Sequence, residues 1–533
     1  SEMVKQNVIS AHFPGASHRE VTKLNRDWAG FHNICMIPDT SNDESIRGYF
    51  GEEVAFFFRW FGLYIRNLSI LAFLGLLFSI CYLPGCFTLT QQDRMLVWFG
   101  FALIIWETIS HKISKADMAR GIQVWGMANY QMTEDDLPSY EASYENSPQL
   151  SLRRVMTAMA VCLYVVFFMM IIGAMNVGFY HAKATGNQIW KFQPYVQTAL
   201  VKGLSWLWRK IAYVLVRSEN HRTQTRFNNS LIKNLSIVKL FVALYPFFYI
   251  AFIEQFRSAT CEATLSDAAR KVYGRQHWPP GVTISQNVSQ HGVIPDSELE
   301  FLKGFWYTVH GEVCISGCYP AVCMAEDDNP MDGITGRQHM VCTSTCMLRL
   351  EGSLRLLYLT HIFCTTLFIV VPVVRTRTIV FREIRKAQQI HRDRGLGEVI
   401  YTLLQFQAKC HRTAPYDFSS WGGSWVEDFL ELVVSYALLA CFGVCYPLMS
   451  FIGFICLTVE YRLLAYRMTN VTCRPPPRGS MGIGAFQSVI EVVSLCALTA
   501  NVGIVVTLML PYRSWPMAKQ LGMFIAAEKG GLL

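Results

Sequence analysis

Apolar stretches of membrane-crossing length recur along this chain and constrain its fold more than any other feature. A helix needs about 20 apolar residues to cross the hydrocarbon core of a bilayer. The sequence predicts ten such spans, at 58–83, 95–110, 155–180, 195–217, 230–254, 352–374, 428–447, 448–468, 484–511 and from Trp515 onward. Pro447 divides the stretch 428–468 into a hairpin of two spans. The predicted fold class is therefore all-α: a polytopic membrane protein with about ten transmembrane helices.

The composition agrees with a protein embedded in a membrane. Hydrophobic residues make up 52% of the 533 residues and charged residues only 16%, whereas soluble domains carry about 25% charged residues. The net charge of +8 comes from basic residues beside the spans, which indicates membrane orientation and not a nucleic-acid partner. The chain starts at Ser1 and not at a methionine, and it stops within an apolar run. We therefore expect it to belong to a longer protein.

The basic residues predict the orientation in the membrane. They flank the third span and follow the sixth and eighth spans, so they fall on one side if the N-terminus is cytosolic. They are Arg153, Arg154, Arg375, Arg377, Arg382, Arg385, Lys386, Arg392, Arg394, Arg462, Arg467, Arg474 and Arg478. The predicted domains are a short cytosolic segment at 1–55 and a transmembrane domain at 56–533. The latter includes an extracellular or lumenal loop at 255–350 and a basic cytosolic linker at 375–425.

The predicted outer loop is rich in cysteine. Its cysteines are Cys261, Cys314, Cys318, Cys323, Cys342 and Cys346. On the oxidising side of a membrane, six cysteines favour up to three disulfides among 15 possible pairings. A zinc site is disfavoured because the spacings are Cys-x3-Cys and Cys-x4-Cys and not the tight Cys-x2-Cys, and because the loop lies on the oxidising side of the membrane. Asn287 begins an Asn-x-Ser sequon in this loop and is the candidate for glycosylation.

Carboxylates occur inside the predicted spans. Asp428 and Glu431 lie three residues apart in the seventh span, hence on one helix face, and Glu460 lies in the eighth. An acid at the bilayer centre costs about 2.5–3.5 kcal/mol on insertion scales, so it needs a cation, a partner or a water-filled cavity. Two interpretations stay open at this point. The acids form a buried cation site, or they are protonated or paired with a basic residue of a neighbouring helix.

A stripe of polar residues follows the fourth span. The stripe is formed by Thr198, Lys202, Ser205 and Arg209, whose spacing places them on one helical face. Tyr358, His361 and Thr365 repeat the pattern in the sixth span, and Ser236 and Lys239 lie in the fifth. Cations on such a stripe favour anions or phosphates, so the stripe as a whole predicts a permeation track. For a single residue, interhelical hydrogen bonding or snorkelling is the alternative.

Before the first span, the run Ile46-Arg47-Gly48-Tyr49-Phe50-Gly51-Glu52 resembles the entry sequence of the anoctamin family of calcium-activated channels and lipid scramblases. The most specific piece is Glu219-Asn220-His221-Arg222-Thr223, between spans four and five. Phe248–Phe252, Glu460–Leu463 and Thr499–Asn501 also fit, and the resemblance covers Leu24 to Leu533. The family usually has a cytosolic N-terminal domain, whereas about 55 residues precede the first span here.

The resemblance implies a homodimer in which each protomer has a groove between spans four to six for ions or lipid head groups. It also implies a calcium site, to which Asp428, Glu431 and Glu460 correspond. Leu464 stands where a second acid of the eighth span is expected, and the sixth span has no carboxylate near Val370. Calcium affinity follows the number of charged ligands. We therefore expect a degenerate site at which calcium, the one candidate cofactor, binds weakly.

The resulting functional prediction is a phospholipid scramblase and/or anion channel with weak or lost calcium regulation, whose partners are membrane phospholipids and ions. The alternative is a non-conducting scaffold or tether that retains the fold. A mechanically gated channel of related architecture is disfavoured by the Glu219–Thr223 block. Enzymatic activity is not predicted, because the chain has no Gly-x-Ser-x-Gly, phosphate-loop or His-Glu-x-x-His motif. Plasma, ciliary and internal membranes are not distinguished by the sequence.

Overall fold

Ten long helices form the body of the molecule. The computed structural model describes residues 14–15, 17–81, 89–130, 134–145, 147–185, 187–257, 259–274, 278–280, 282, 294, 298–325, 340–395, 397–398, 402–413 and 425–532. The helices, numbered α1 to α10, are Glu52–Cys81, Leu89–Val124, Pro148–Ala184, Gln193–Arg217, Gln224–Phe248, Thr345–Asp393, Trp425–Phe442, Leu448–Asn470, Phe486–Leu508 and Met517–Leu532. Each overlaps one predicted span, although α2 and α6 extend well beyond theirs. The all-α polytopic fold class is confirmed.

Eight helices of the described part are long and apolar enough to cross a membrane. The two predicted spans outside this set are α4 and α10. Helix α4 carries the polar stripe, and α10 has only 16 residues. The prediction of about ten spans therefore agrees with the number of long helices. Helix α4 is too polar and α10 too short to be counted among the eight candidate membrane spans.

A small β-containing unit connects α5 to α6. Helix α5 continues through a π-helical turn at Tyr249–Ile253 and the short helix Glu254–Arg257. The strands are β1 Thr260–Glu262, β2 Trp306–Val309, β3 Glu312–Ile315, β4 Pro320–Ala325 and β5 Met340–Ser344, and a short helix lies at Leu265–Tyr273. They form an antiparallel sheet in the order β1-β3-β2 and a separate β4-β5 pair.

Three disulfides hold this unit together and use all six cysteines singled out in the loop. They are Cys261–Cys314, Cys318–Cys346 and Cys323–Cys342. Two of them join residues that lie opposite each other, one on β1 and β3 and one on β4 and β5. The predicted glycosylation site, Asn287, lies outside the described residues.

The segment before α1 packs against α8. It contains the helices His18–Leu24 and Asp43–Phe50 and a π-helical turn at Asn25–Ala29. Within the turn, Trp28 is 1% exposed and donates a hydrogen bond to the Tyr461 hydroxyl at 3.1 Å. Arg462 donates to the Trp28 carbonyl at 2.9 Å. The N-terminal segment is therefore anchored to the helix that carries Glu460.

Helices α1 and α8 approach each other closely at Gly75. A methyl group there would collide with the Ser450 hydroxyl and the Pro447 carbonyl oxygen. The Ser450 hydroxyl also donates to the Leu71 carbonyl of α1 at 3.2 Å. Small residues at a helix interface allow backbones to pack closely within a membrane, where the hydrophobic effect contributes little.

We expect Gly75→Ala to lower the free energy of unfolding by about 1–3 kcal/mol, the usual cost of overpacking. The control is Gly173→Ala in α3, where a methyl group meets no atom within 4 Å. That variant should be neutral or stabilising by about 0.5–1 kcal/mol, because alanine is the better helix former. Chemical unfolding in detergent measures both, and equal effects of the two substitutions would argue against the close contact.

Candidate functional site: a charge-balanced cluster

Glu431 lies at the centre of a cluster of charged side chains from α4 to α8. Its carboxylate accepts from Lys239 Nζ of α5 at 2.7 Å and from Lys202 Nζ of α4 at 3.3 Å. The Glu431 side chain is 15% exposed. One carboxylate of α7 therefore binds two ammonium groups, each on a different helix.

His361 brings α6 into the same cluster. It is 4% exposed, and its Nδ1 lies 3.0 Å from Lys202 Nζ and 3.3 Å from a Glu431 carboxylate oxygen. Since an ammonium group can only donate, Nδ1 is the acceptor in the contact with Lys202. Helices α4 and α6, the expected walls of the groove, therefore touch at this level.

Two further ion pairs extend the cluster along α7. Arg467 of α8 is 1% exposed and donates to Asp428 at 2.5 Å. Arg209 of α4 is paired with Glu427. Glu460 of α8 is buried close enough to Asp428 for the two carboxyl groups to interact electrostatically.

Four carboxyl groups and four basic side chains meet in this cluster. The carboxylates are Glu427, Asp428, Glu431 and Glu460, and the cations are Lys202, Arg209, Lys239 and Arg467. In the described part of the chain, no group of three or more His, Cys, Asp or Glu side chains is arranged to hold a metal ion. Of the two open interpretations, pairing with basic residues of neighbouring helices is the one observed for Asp428 and Glu431.

The predicted track residues have different environments. Ser205 donates to the Val201 carbonyl of its own helix at 2.8 Å, an intrahelical bond and not the interhelical one considered above. Ser236 is 1% exposed, and Tyr358 is equally buried, with its hydroxyl against Gly453. Thr198 and Thr365 lie on α4 and α6, but their side chains are outside the described part.

The structure joins two sets of residues that the sequence suggested as separate features. Lys202, Lys239 and His361 of the track contact Glu431 of the acid set directly. Sequence reasoning missed Glu427 as a site residue and assigned Arg467 only to orientation. Both carried a signal, since Glu427 precedes Glu431 by one helical turn and Arg467 follows Glu460 by two turns on the same face.

A second network organises the Glu219–Thr223 block that connects α4 to α5. Glu219 is 5% exposed and accepts hydrogen bonds from His221 and from Ser230, both at 2.9 Å. Burial by itself would raise the pKa of Glu219, but hydrogen bonds from His221, Thr157 and Ser230 outweigh it and leave the pKa below the ordinary value of 4.5. Thr223 caps α5 by accepting from the Arg226 backbone N–H at 3.3 Å.

We expect Glu219→Gln to lower the free energy of unfolding at neutral pH by about 1.5–3 kcal/mol, the usual worth of a hydrogen bond to a charged group. A carboxylate whose pKa is lowered on folding stabilises the protein above pH 4.5, and this stabilisation is lost as the pH falls through the lowered value. The difference between the unmodified protein and Glu219→Gln should thus shrink below pH 4.5. Thermal unfolding between pH 7 and pH 3 tests this, with Glu141→Gln as an exposed control.

Comparison with known proteins identifies relatives of one family. Residues 46–532 match the family model described as "Anoctamin: Calcium-activated chloride channel". The chain is 22% identical to Anoctamin-8 of Homo sapiens over 269 residues, which cover 47% of this chain and 21% of that protein. It is 26% identical to Anoctamin-10 of Homo sapiens over 273 residues, which cover 47% of this chain and 40% of that protein. It is 20% identical to Anoctamin-9 of Mus musculus over 555 aligned residues, which cover 94% of this chain and 63% of that protein. The chain thus matches less than two thirds of the length of each of these relatives.

Proposed function

Because the family match extends over residues 46–532, the chain belongs to the anoctamin family, and we propose that it transports anions or phospholipid head groups across the membrane along α4, α5 and α6. Support comes from the basic side chains on these helices. Lys202, Arg209 and Lys239 are paired with Glu431 or Glu427 in this structure, so they become available to an anion when these pairs separate. Fixed cations at a constriction select for anions and for phosphate groups.

The proposed gate is the contact between Lys202, His361 and Glu431. Lys202 Nζ of α4 lies 3.0 Å from His361 Nδ1 of α6. A head group or a hydrated ion therefore passes this level only after these two side chains separate. Lys202 is also bound to Glu431, and this second bond opposes separation. Opening of the gate therefore moves Lys202 away from α6 and α7.

We further propose that calcium regulation is weak or lost. The observation that carries this proposal is the Glu431 carboxylate, which binds Lys202 and Lys239 at 3.3 and 2.7 Å. These amines supply the positive charge that a divalent ion would bring to unpaired acids. A ligand shifts a conformational equilibrium only by its differential affinity for the two states, so an ion that binds weakly to occupied carboxylates gates poorly.

The proposed assembly is a homodimer. Helix α10 exposes Met517, Leu521 and Ile525, with exposed fractions of 75%, 59% and 45%. The family resemblance suggests that this helix forms much of the dimer contact. Light scattering of the detergent-solubilised protein should give twice the protomer mass, whereas a monomer mass at all concentrations would contradict the proposal.

Reconstitution into liposomes tests the proposed function. Purified protein in liposomes buffered with a calcium chelator should accelerate exchange of a fluorescent phospholipid between leaflets, chloride flux, or both, relative to protein-free liposomes. The substrate that moves decides between scrambling and conduction. Absence of both activities at every calcium concentration would contradict the proposal and favour the scaffold or tether.

A further inference from the structure

A cavity of about 350 Å³ lies at the end of the bundle where α1, α5 and α7 begin. Its walls come from these three helix starts, from the end of α4 and from the segments that connect α2 to α3 and α8 to α9. This volume is within the range of roughly 300–1,000 Å³ typical of small-molecule sites. The cavity is separate from the charge cluster, although it shares α4 and α7 with it.

Two arginines give the cavity its positive charge. Arg217, at the end of α4, and Arg478, between α8 and α9, both line it and are exposed. In the described residues, no carboxylate forms an ion pair with Arg217. Arginine is the side chain best suited to phosphate, because its planar guanidinium donates two parallel hydrogen bonds.

The one carboxylate in the wall, Glu53, is already engaged by donors. It accepts from Asn228 at 3.4 Å and from the Trp425 side chain, and Arg478 attracts it electrostatically. The Glu53 backbone N–H donates to the Arg478 carbonyl at 3.1 Å, which fixes the two residues beside each other. The cavity wall therefore keeps a net positive charge, with Arg217 unpaired by any described carboxylate.

Three helix N-termini add to this field. Glu53 belongs to the first turn of α1, Asn228 to the second turn of α5, and Trp425 is the first residue of α7. Helix N-termini carry partial positive charge and favour anions. All three helices begin at the same cavity as the two arginines, but acidic side chains already offset part of the field. Glu52 and Glu53 lie in the first turn of α1, and the Glu134 carboxylate accepts from the Thr225 backbone N–H of α5 at 3.0 Å.

We propose that this cavity binds a phosphate monoester anion. The ligand can be the head group of a lipid or a soluble organic phosphate, since the two share the group that Arg217 and Arg478 recognise. The proposal does not depend on transport, because it concerns a site outside the groove. Its test is binding, so failure here leaves the proposed function unaffected.

The experiment uses the full chain in phosphatidylcholine nanodiscs and two probes with the same head group. Glycerol 3-phosphate is added in solution in one arm, and phosphatidic acid is incorporated into the nanodisc in the other. Thermal stability and Trp fluorescence are recorded against probe concentration. We expect saturable binding in at least one arm, and the arm that responds identifies the source of the ligand.

Five variants make the test specific. Arg217→Gln and Arg478→Gln should each raise the dissociation constant at least tenfold, whereas Glu53→Gln should lower it several-fold by removing the negative charge. Arg154→Gln, an exposed arginine at the start of α3 that does not line the cavity, should leave binding unchanged. Ser139→Trp fills the cavity from an exposed position and should abolish binding even if an arginine variant folds poorly.

Two results would overturn the proposal. The first is no saturable binding of either probe by the folded protein. The second is binding that does not depend on the cavity: Arg154→Gln weakens it as much as Arg217→Gln, or Ser139→Trp leaves it unchanged. Either outcome would indicate a non-specific attraction to basic surface.

Discussion

Replacing Glu431 by glutamine is expected to lower the free energy of unfolding by about 3–5 kcal/mol, the cost of leaving a buried charge without its partner. Lys239 and Lys202 would lose the carboxylate that accepts from both of them. The loss of this carboxylate should cost more at Lys239 than at Lys202, because the Lys239 side chain is only 14% exposed. Urea unfolding in detergent, followed by circular dichroism, measures the change.

Two controls separate this effect from a general loss of charge. Glu491 pairs with Lys115 at 3.0 Å, but both side chains are well exposed, so Glu491→Gln should cost only about 0–1 kcal/mol. Combining Glu431→Gln with Lys202→Met and Lys239→Met should recover most of the lost stability, because removing a whole buried ion group is close to neutral. An equal cost for Glu431→Gln and Glu491→Gln would rule out the buried cluster as described.

The double variant Lys202→Gln/Lys239→Gln is expected to gain a stabilising response to calcium. Removal of two cations leaves four carboxylates, Glu427, Asp428, Glu431 and Glu460, against Arg209 and Arg467. Calcium affinity rises with the number of charged oxygen ligands. At a calcium concentration of about 100 times the dissociation constant, the stabilisation should reach about 2.7 kcal/mol. Adding Leu464→Asp and Val370→Glu should strengthen the response.

The matched control is Lys210→Gln/Lys233→Gln, which removes the same charges from exposed positions of α4 and α5. This control and the unmodified protein should show no change in melting temperature between chelator and millimolar calcium. A calcium response of the same size in the control, or no response in the Lys202/Lys239 variant, would show that these lysines do not take the place of calcium.

The helices were predictable because each depends on local sequence. A run of about 20 apolar residues has few alternatives to a transmembrane helix, and Pro447 marked the hairpin between α7 and α8 correctly. The polarity of α4 was also visible, since Lys202 and Arg209 lie on one face. The disulfide partners were not, because six cysteines allow 15 pairings and only the strand register of β1 with β3 and β4 with β5 selects among them.

The site was only half predictable, since its contacts are long-range. The acids and the basic stripe were both recognised from helical spacing, but Lys202 and Glu431 are separated by 229 residues. Their contact depends on how α4, α5 and α7 pack, which a pattern within one helix does not specify. Arg467 illustrates the same limit, because a basic residue near a span end indicates orientation as readily as a partner for Asp428.

We propose that side-chain cations occupy the place of calcium beside Glu431. The most direct test is the transport rate in proteoliposomes as free calcium is raised from nanomolar to millimolar concentrations. The rate is predicted to stay constant within about twofold, because Lys202, Lys239 and Arg467 already neutralise the acids they contact. Steep activation at micromolar calcium that Glu431→Gln abolishes would contradict the claim.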